Sequence, residues 1–93
     1  MNWQESAETL ALRAMAWLIA DDDRAGAFLQ ATGASPGDLA AQAGDPVFLG
    51  AVLDFLLSDD ALVTGFCDAA GLAYTVPMQA RAGLPGHSQM HWT

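Results

Sequence analysis

The sequence predicts an all-α fold, a small bundle of five to six helices with an approximate internal two-fold repeat. Apolar residues recur at spacings of three and four, as in Trp3, Ala7, Leu10, Ala14, Trp17 and Leu18, and no stretch alternates with the period of two of a half-buried strand. Short acids, prolines and single glycines stand where helices start and stop. The third observation is a repeat. LIADDDRAGAFLQATG, from Leu18 to Gly33, superposes on LLSDDALVTGFCDAAG, from Leu56 to Gly71, at a spacing of 38 residues. The copies agree at Leu18/Leu56, Asp21/Asp59, Asp22/Asp60, Phe28/Phe66, Ala31/Ala69 and Gly33/Gly71, and in kind at Trp17/Phe55 and Ile19/Leu57.

The first helix starts near Asn2, where Asn2 with Glu5 or Ser6 offers a cap, and its half from Leu10 to Ala20 is apolar nearly all round. Asp21-Asp22-Asp23 ends it and begins a second helix, because short carboxylates accept the free amides of a helix start. Gly33 is the left-handed stop of that helix. Ser35-Pro36-Gly37-Asp38 places a hydroxyl cap, a proline at the first helical position and an acid three residues after the cap, opening a short third helix that ends at Gly44. Asp45-Pro46 opens a fourth, whose core VFLGAVLDFLL is apolar except for Asp54; it is expected to be the most buried. Ser58-Asp59-Asp60 caps a fifth with Leu62, Val63, Phe66 and Cys67 inward and Gly71 at its end. Thr75 caps a last short helix through about Gly83. Two helical triplets fall short of the three repeats a solenoid needs, so a closed bundle is expected.

Ninety-three residues, 53% hydrophobic and 15% charged, suffice for one real core. The expected organisation is a single helical domain over residues 1–86 and a flexible tail over 87–93. Eleven carboxylates stand against Arg13, Arg24 and Arg81, with no lysine and a net charge of −8. Such a chain lacks the basic footprint that nucleic-acid binding requires and repels anionic headgroups, whereas basic partners suit it. No apolar run approaches the roughly 20 residues of a membrane span, and the acidic start MNWQESAETL does not read as an export signal. With a single cysteine excluding an internal disulfide, the expected location is cytoplasmic.

ALRAMAWLIADD, the Phe-centred helix ending in TG, DPVFLGAVLDFLLSDDALVTGF and the following GL together resemble the Domain of Unknown Function 3572 family of small bacterial proteins. The likeness covers roughly residues 7 to 86. It implies a small helical protein, and no activity or site comes with it.

Few residues invite chemistry. The runs Asp21-Asp22-Asp23 and Asp59-Asp60 resemble a cation site in composition, but they lack the spaced ligands and loop glycine of a calcium loop and read as helix caps. Asp54 is the lone charge of the fourth helix, on a strip with Val47, Gly50, Ala51 and Ser58 that is either solvent-facing or a close helix contact; no helical histidine or lysine offers it a partner for acid–base work. Cys67 reads as a small hydrophobe, since a nucleophile needs a nearby base. Ser6, Ser35 and Ser58 read as caps. His87 and His91, four apart, lack the further ligands of a zinc site, and no glycine-rich phosphate loop exists. No cofactor is expected.

The tail after Pro85 carries His87, His91 and Trp92, and its tryptophan either folds back on the bundle, meets a partner or stays idle. The expected function is a non-enzymatic, acidic protein–protein interaction module. Its partner is an unidentified protein with a basic or apolar surface, or a second copy of the chain, and Trp92, His91 and Asp54 are the candidate contacts. The alternative is a small-molecule-binding protein or enzyme using a cleft between the pseudo-repeats near Asp54.

Overall fold

A computed structural model describes residues 3–85, with side-chain burial described from Glu5 onward. Among them six helices follow in order: α1 (Trp3–Ile19), α2 (Asp22–Thr32), α3 (Pro36–Gln42), α4 (Pro46–Leu57), α5 (Asp60–Ala70) and α6 (Val76–Ala82). No strand occurs among the described residues.

The helix ends follow local chemistry. Asp21 accepts the Arg24 amide at 3.0 Å, Asp45 the Val47 amide at 3.0 Å and Asp59 the Ala61 amide at 2.9 Å, so each carboxylate takes up one of the amides a helix start leaves unpaired. Gly33 and Gly71 stop α2 and α5 at φ 76° and 72°, left-handed conformations that cost little only for glycine. Before α3, Ser35 donates its amide and its hydroxyl to one Asp38 oxygen, at 3.1 and 2.9 Å. These bonds hold the Asp38 carboxyl below the usual carboxylate range, the backbone bond foremost.

Three expected ends move, and the start of α1 lies at the edge of the described residues. Asn2 lies outside the described residues, and Ser6 sits inside α1 rather than capping it. α3 ends at Gln42 with Ala43 in helical geometry, short of Gly44. Ser58 closes α4, donating its hydroxyl to the Phe55 carbonyl at 2.6 Å, and leaves the capping of α5 to Asp59. Thr75 precedes α6 with helical dihedrals and no side-chain capping bond, so that helix starts by continuing a turn.

α4 is the axle of the bundle, with Phe48, Leu49, Gly50, Val52, Leu53 and Leu56 all buried. α1 lies across it, and α6 packs against both. α2 rests on α1 and α4, and α5 rests on α4. Phe28 and Phe66 are buried to 0% and 2% exposure. Each such burial contributes about 2–3 kcal/mol of transfer free energy.

Two ring pairs join positions that the sequence repeat matches. Trp17 packs on Phe66 with centroids 5.9 Å apart, and the matched residues Phe55 and Phe28 pack at 5.6 Å. Each copy's first helix therefore grips the other copy's second. The correspondence does not extend to the third helices. α6 is bound into the α1–α4 interface, while α3 touches its neighbours sparsely and buries only Leu39.

Candidate functional site

The distinctive polar feature lies where α4 meets α6. Among the described residues Arg81 is the one charged residue in the core, its side chain 8% exposed, and its Nε donates to Asp54 Oδ1 at 2.7 Å while Nη2 reaches Oδ2 at 3.3 Å. Nη1 donates to the Leu84 carbonyl at 3.0 Å and reaches the Pro85 carbonyl at 3.4 Å. A buried guanidinium demands such partners, and here the carboxylate and the carbonyls of the two residues that follow Gly83 supply them. Gly50, one turn before Asp54, makes room: a Cβ there would lie 3.1 Å from the Pro85 carbonyl oxygen and 3.2 Å from the guanidinium carbon. The strip holding Asp54 is thus a close helix contact at Gly50, and Asp54 itself remains 43% exposed.

Two depressions meet at Asp54 and Ser58. One, of about 620 Å³, lies between α4 and α6, with Leu57, Met78 and Leu84 in its walls. The other, of about 570 Å³, lies towards α2 and α3, with Phe48 and Phe55 on its floor and Asp38 at its edge. A cleft beside Asp54 is therefore present, although between α4 and α6 it lies within the second half of the chain.

The other candidates serve the fold. Arg24 spreads over the Trp17 ring at 3.8 Å and donates Nη2 to the Trp17 carbonyl at 2.8 Å, a cation at the carbonyl end of α1 where the helix dipole favours it. Cys67 is buried, its thiol aimed at the Ala73 carbonyl at 3.5 Å. Burial, and then the charge of Asp68, push this thiol above its ordinary pKa, the opposite of what a nucleophile needs. Exposed Tyr74 donates its hydroxyl to Asp68 at 2.7 Å, a bond that raises the phenol's pKa. No group of three or more His, Cys, Asp or Glu placed to hold a metal occurs among the described residues. Among them no helix is long and apolar enough to cross a membrane. His87, His91 and Trp92 lie outside the described residues, so the structure places only Asp54 of the three candidate contacts. Sequence reasoning missed Arg81, the residue that defines the site.

Among the described residues these features define a small all-helical bundle in which buried Arg81 of α6 pairs with half-exposed Asp54 of α4. The family model described as "Protein of unknown function (DUF3572)" matches residues 4–87, and the chain belongs to that family. No curated protein and no solved structure matches it.

Proposed function

We propose that this protein is a non-enzymatic, acidic interaction module that docks a basic surface on a protein partner. The observation that supports it is the fate of the three arginines. Arg81 is buried against Asp54 and Arg24 lies over Trp17, so two of the three cations are used inside the fold. Exposed carboxylates such as Asp22, Asp23, Asp45, Asp59 and Asp60 dominate the envelope. A surface of one sign steers and holds partners of the other.

The test is capture from a native lysate at rising salt, beside a variant with Asp22→Asn, Asp23→Asn and Asp60→Asn, which leaves the side-chain caps Asp21, Asp45 and Asp59 in place. The expected result is a partner held at about 0.05 M salt, shed by about 0.5 M and bound weakly by the variant. A complex indifferent to both salt and variant overturns the reading.

A second reading, a small-molecule-binding protein or enzyme, draws on the depressions beside Asp54, whose volumes fall in the range of ligand pockets. Against it, both Asp54 oxygens face the Arg81 guanidinium. A melting shift with a metabolite from a broad panel would favour it.

A further inference from the structure

We propose that the depression between α1 and α6 binds a small carboxylate with a short apolar chain. The carboxylate sits on Arg13, and the chain lies against the two helices. This site is separate from the acidic surface above and does not depend on it.

The depression, of about 200 Å³, is lined by one face of each helix. Ser6, Leu10 and Arg13 follow one another along α1 at helical spacing, as Val76, Gln79 and Ala80 do along α6. Its wall is largely apolar, with Ala7, Leu10 and Ala80 buried and Val76 half-buried. Arg13 is the only charged residue in the lining, so the lining is positive although the whole chain carries −8. Arg13 is also the arginine that the fold does not use. Arg24 is held by Trp17 and Arg81 by Asp54, whereas exposed Arg13 has no hydrogen bond, ion pair or ring contact among the described residues. A guanidinium presents a carboxylate with two parallel N–H donors, and the exposed Ser6 hydroxyl and Gln79 amide add polar groups at the rim. One arginine matches one negative charge, and the acidic surface around it disfavours a more highly charged anion such as a phosphate. The space is smaller than a drug-sized pocket, which suits a chain of a few carbons.

The probe is hexanoate, titrated into the full chain carrying labelled methyl groups at about 0.15 M salt, where a Debye length of about 8 Å damps the distant carboxylates and spares a contact at Arg13. The expected result is saturable shifts at the Ala7, Leu10, Val76 and Ala80 methyls, with a dissociation constant of about a millimolar. Acetate keeps the charge and lacks the chain, and hexan-1-ol keeps the chain and lacks the charge; each should bind at least about fivefold more weakly than hexanoate. Arg13→Gln, at an exposed position, should weaken hexanoate at least about fivefold and leave hexan-1-ol within about a factor of two. Hexanoate binding untouched by Arg13→Gln, or matched by hexan-1-ol, removes the guanidinium from the site and overturns the proposal. Equal binding of acetate removes the apolar wall and overturns it too. So do shifts centred on Ala16 and Ala69, on the other side of Arg13 beside Trp17 and Phe66, and so does the absence of saturable binding.

Discussion

The corner between α1 and α2 and the corner between α4 and α5 are built from the same signals, yet only the second belongs to a half that is fastened at its far end. Both corners turn on an aspartate cap and close on a left-handed glycine, and both lend a phenylalanine to the other half's first helix. Beyond them the halves part. At the spacing of 38 residues, Gly50, Asp54 and Arg81 correspond to Leu12, Ala16 and Ala43, so the clasp has no counterpart. α6 is bound into the core by Pro77, Ala80 and Arg81 and packs on both α1 and α4, whereas α3 buries only Leu39 and lies loosely attached. Matched helix-end signals therefore accompany similar turns, while the third helices differ in what they bury: Pro77, Ala80 and the Arg81 clasp in α6, Leu39 alone in α3.

The largest expected effects test the equivalence of the corners. Phe28→Ala and Phe66→Ala each remove a ring buried to 2% exposure or less, and each should cost about 3–5 kcal/mol in chemical denaturation. A loss several-fold larger for one than the other would break the comparison at its core. Next comes the clasp. Arg81→Ala should cost about 2 kcal/mol, less than orphaning a fully buried charge, because Asp54 keeps 43% exposure to water. A double-mutant cycle with Asp54→Asn should show coupling of about 1 kcal/mol or more, and additivity would contradict a direct pair.

Gly33→Ala and Gly71→Ala sharpen the match between helix ends. A Cβ at either meets nothing within 4 Å, so the cost is backbone strain alone, about 1 kcal/mol each. Unchanged melting temperatures would refute the left-handed caps.

The smallest effect separates the corners by pH. Cys67 stands where the first copy has Leu29, and burial raises its folded pKa above the unfolded value. The stabilisation from keeping the thiol protonated is therefore complete below the unfolded pKa and is lost as pH rises through the folded one. Between neutral pH and about pH 10, the wild type should lose more stability than Cys67→Ala. Equal losses would show that the thiol contributes nothing to the alkaline slope.

Much of this fold was legible because its punctuation is local. Asp21, Asp45 and Asp59 bond amides two or three residues away, and Gly33 and Gly71 need only their own dihedrals, so single-sequence reasoning reaches them. The apolar run of α4, broken only by Asp54, likewise announces its burial. Legibility failed where a residue's role depends on distant chain. Sequence reasoning offers Asp54 only histidines and lysines as partners, while its partner Arg81 lies 27 residues on and gains its place through tertiary packing. Gly50 signalled the contact as a small residue one turn from Asp54, but only the packed helices reveal what crosses it. Thr75 and Ser6 mislead as caps for a related reason: a hydroxyl near a helix start is a cap only if its own backbone is extended, and spacing does not reveal that.

Native-state hydrogen exchange tests the central claim, that of the two third helices only α6 is fastened into the core. The amides of Gln79, Gly83 and Leu84, which donate to the Thr75, Ala80 and Arg81 carbonyls, should exchange with opening free energies approaching those of α4, and Arg81→Gln should lower them selectively. The amides of Ala41 and Gln42 in α3 should exchange at least about a hundredfold faster than those of α6. Equal protection of α3 and α6, or α6 protection untouched by Arg81→Gln, would contradict the account.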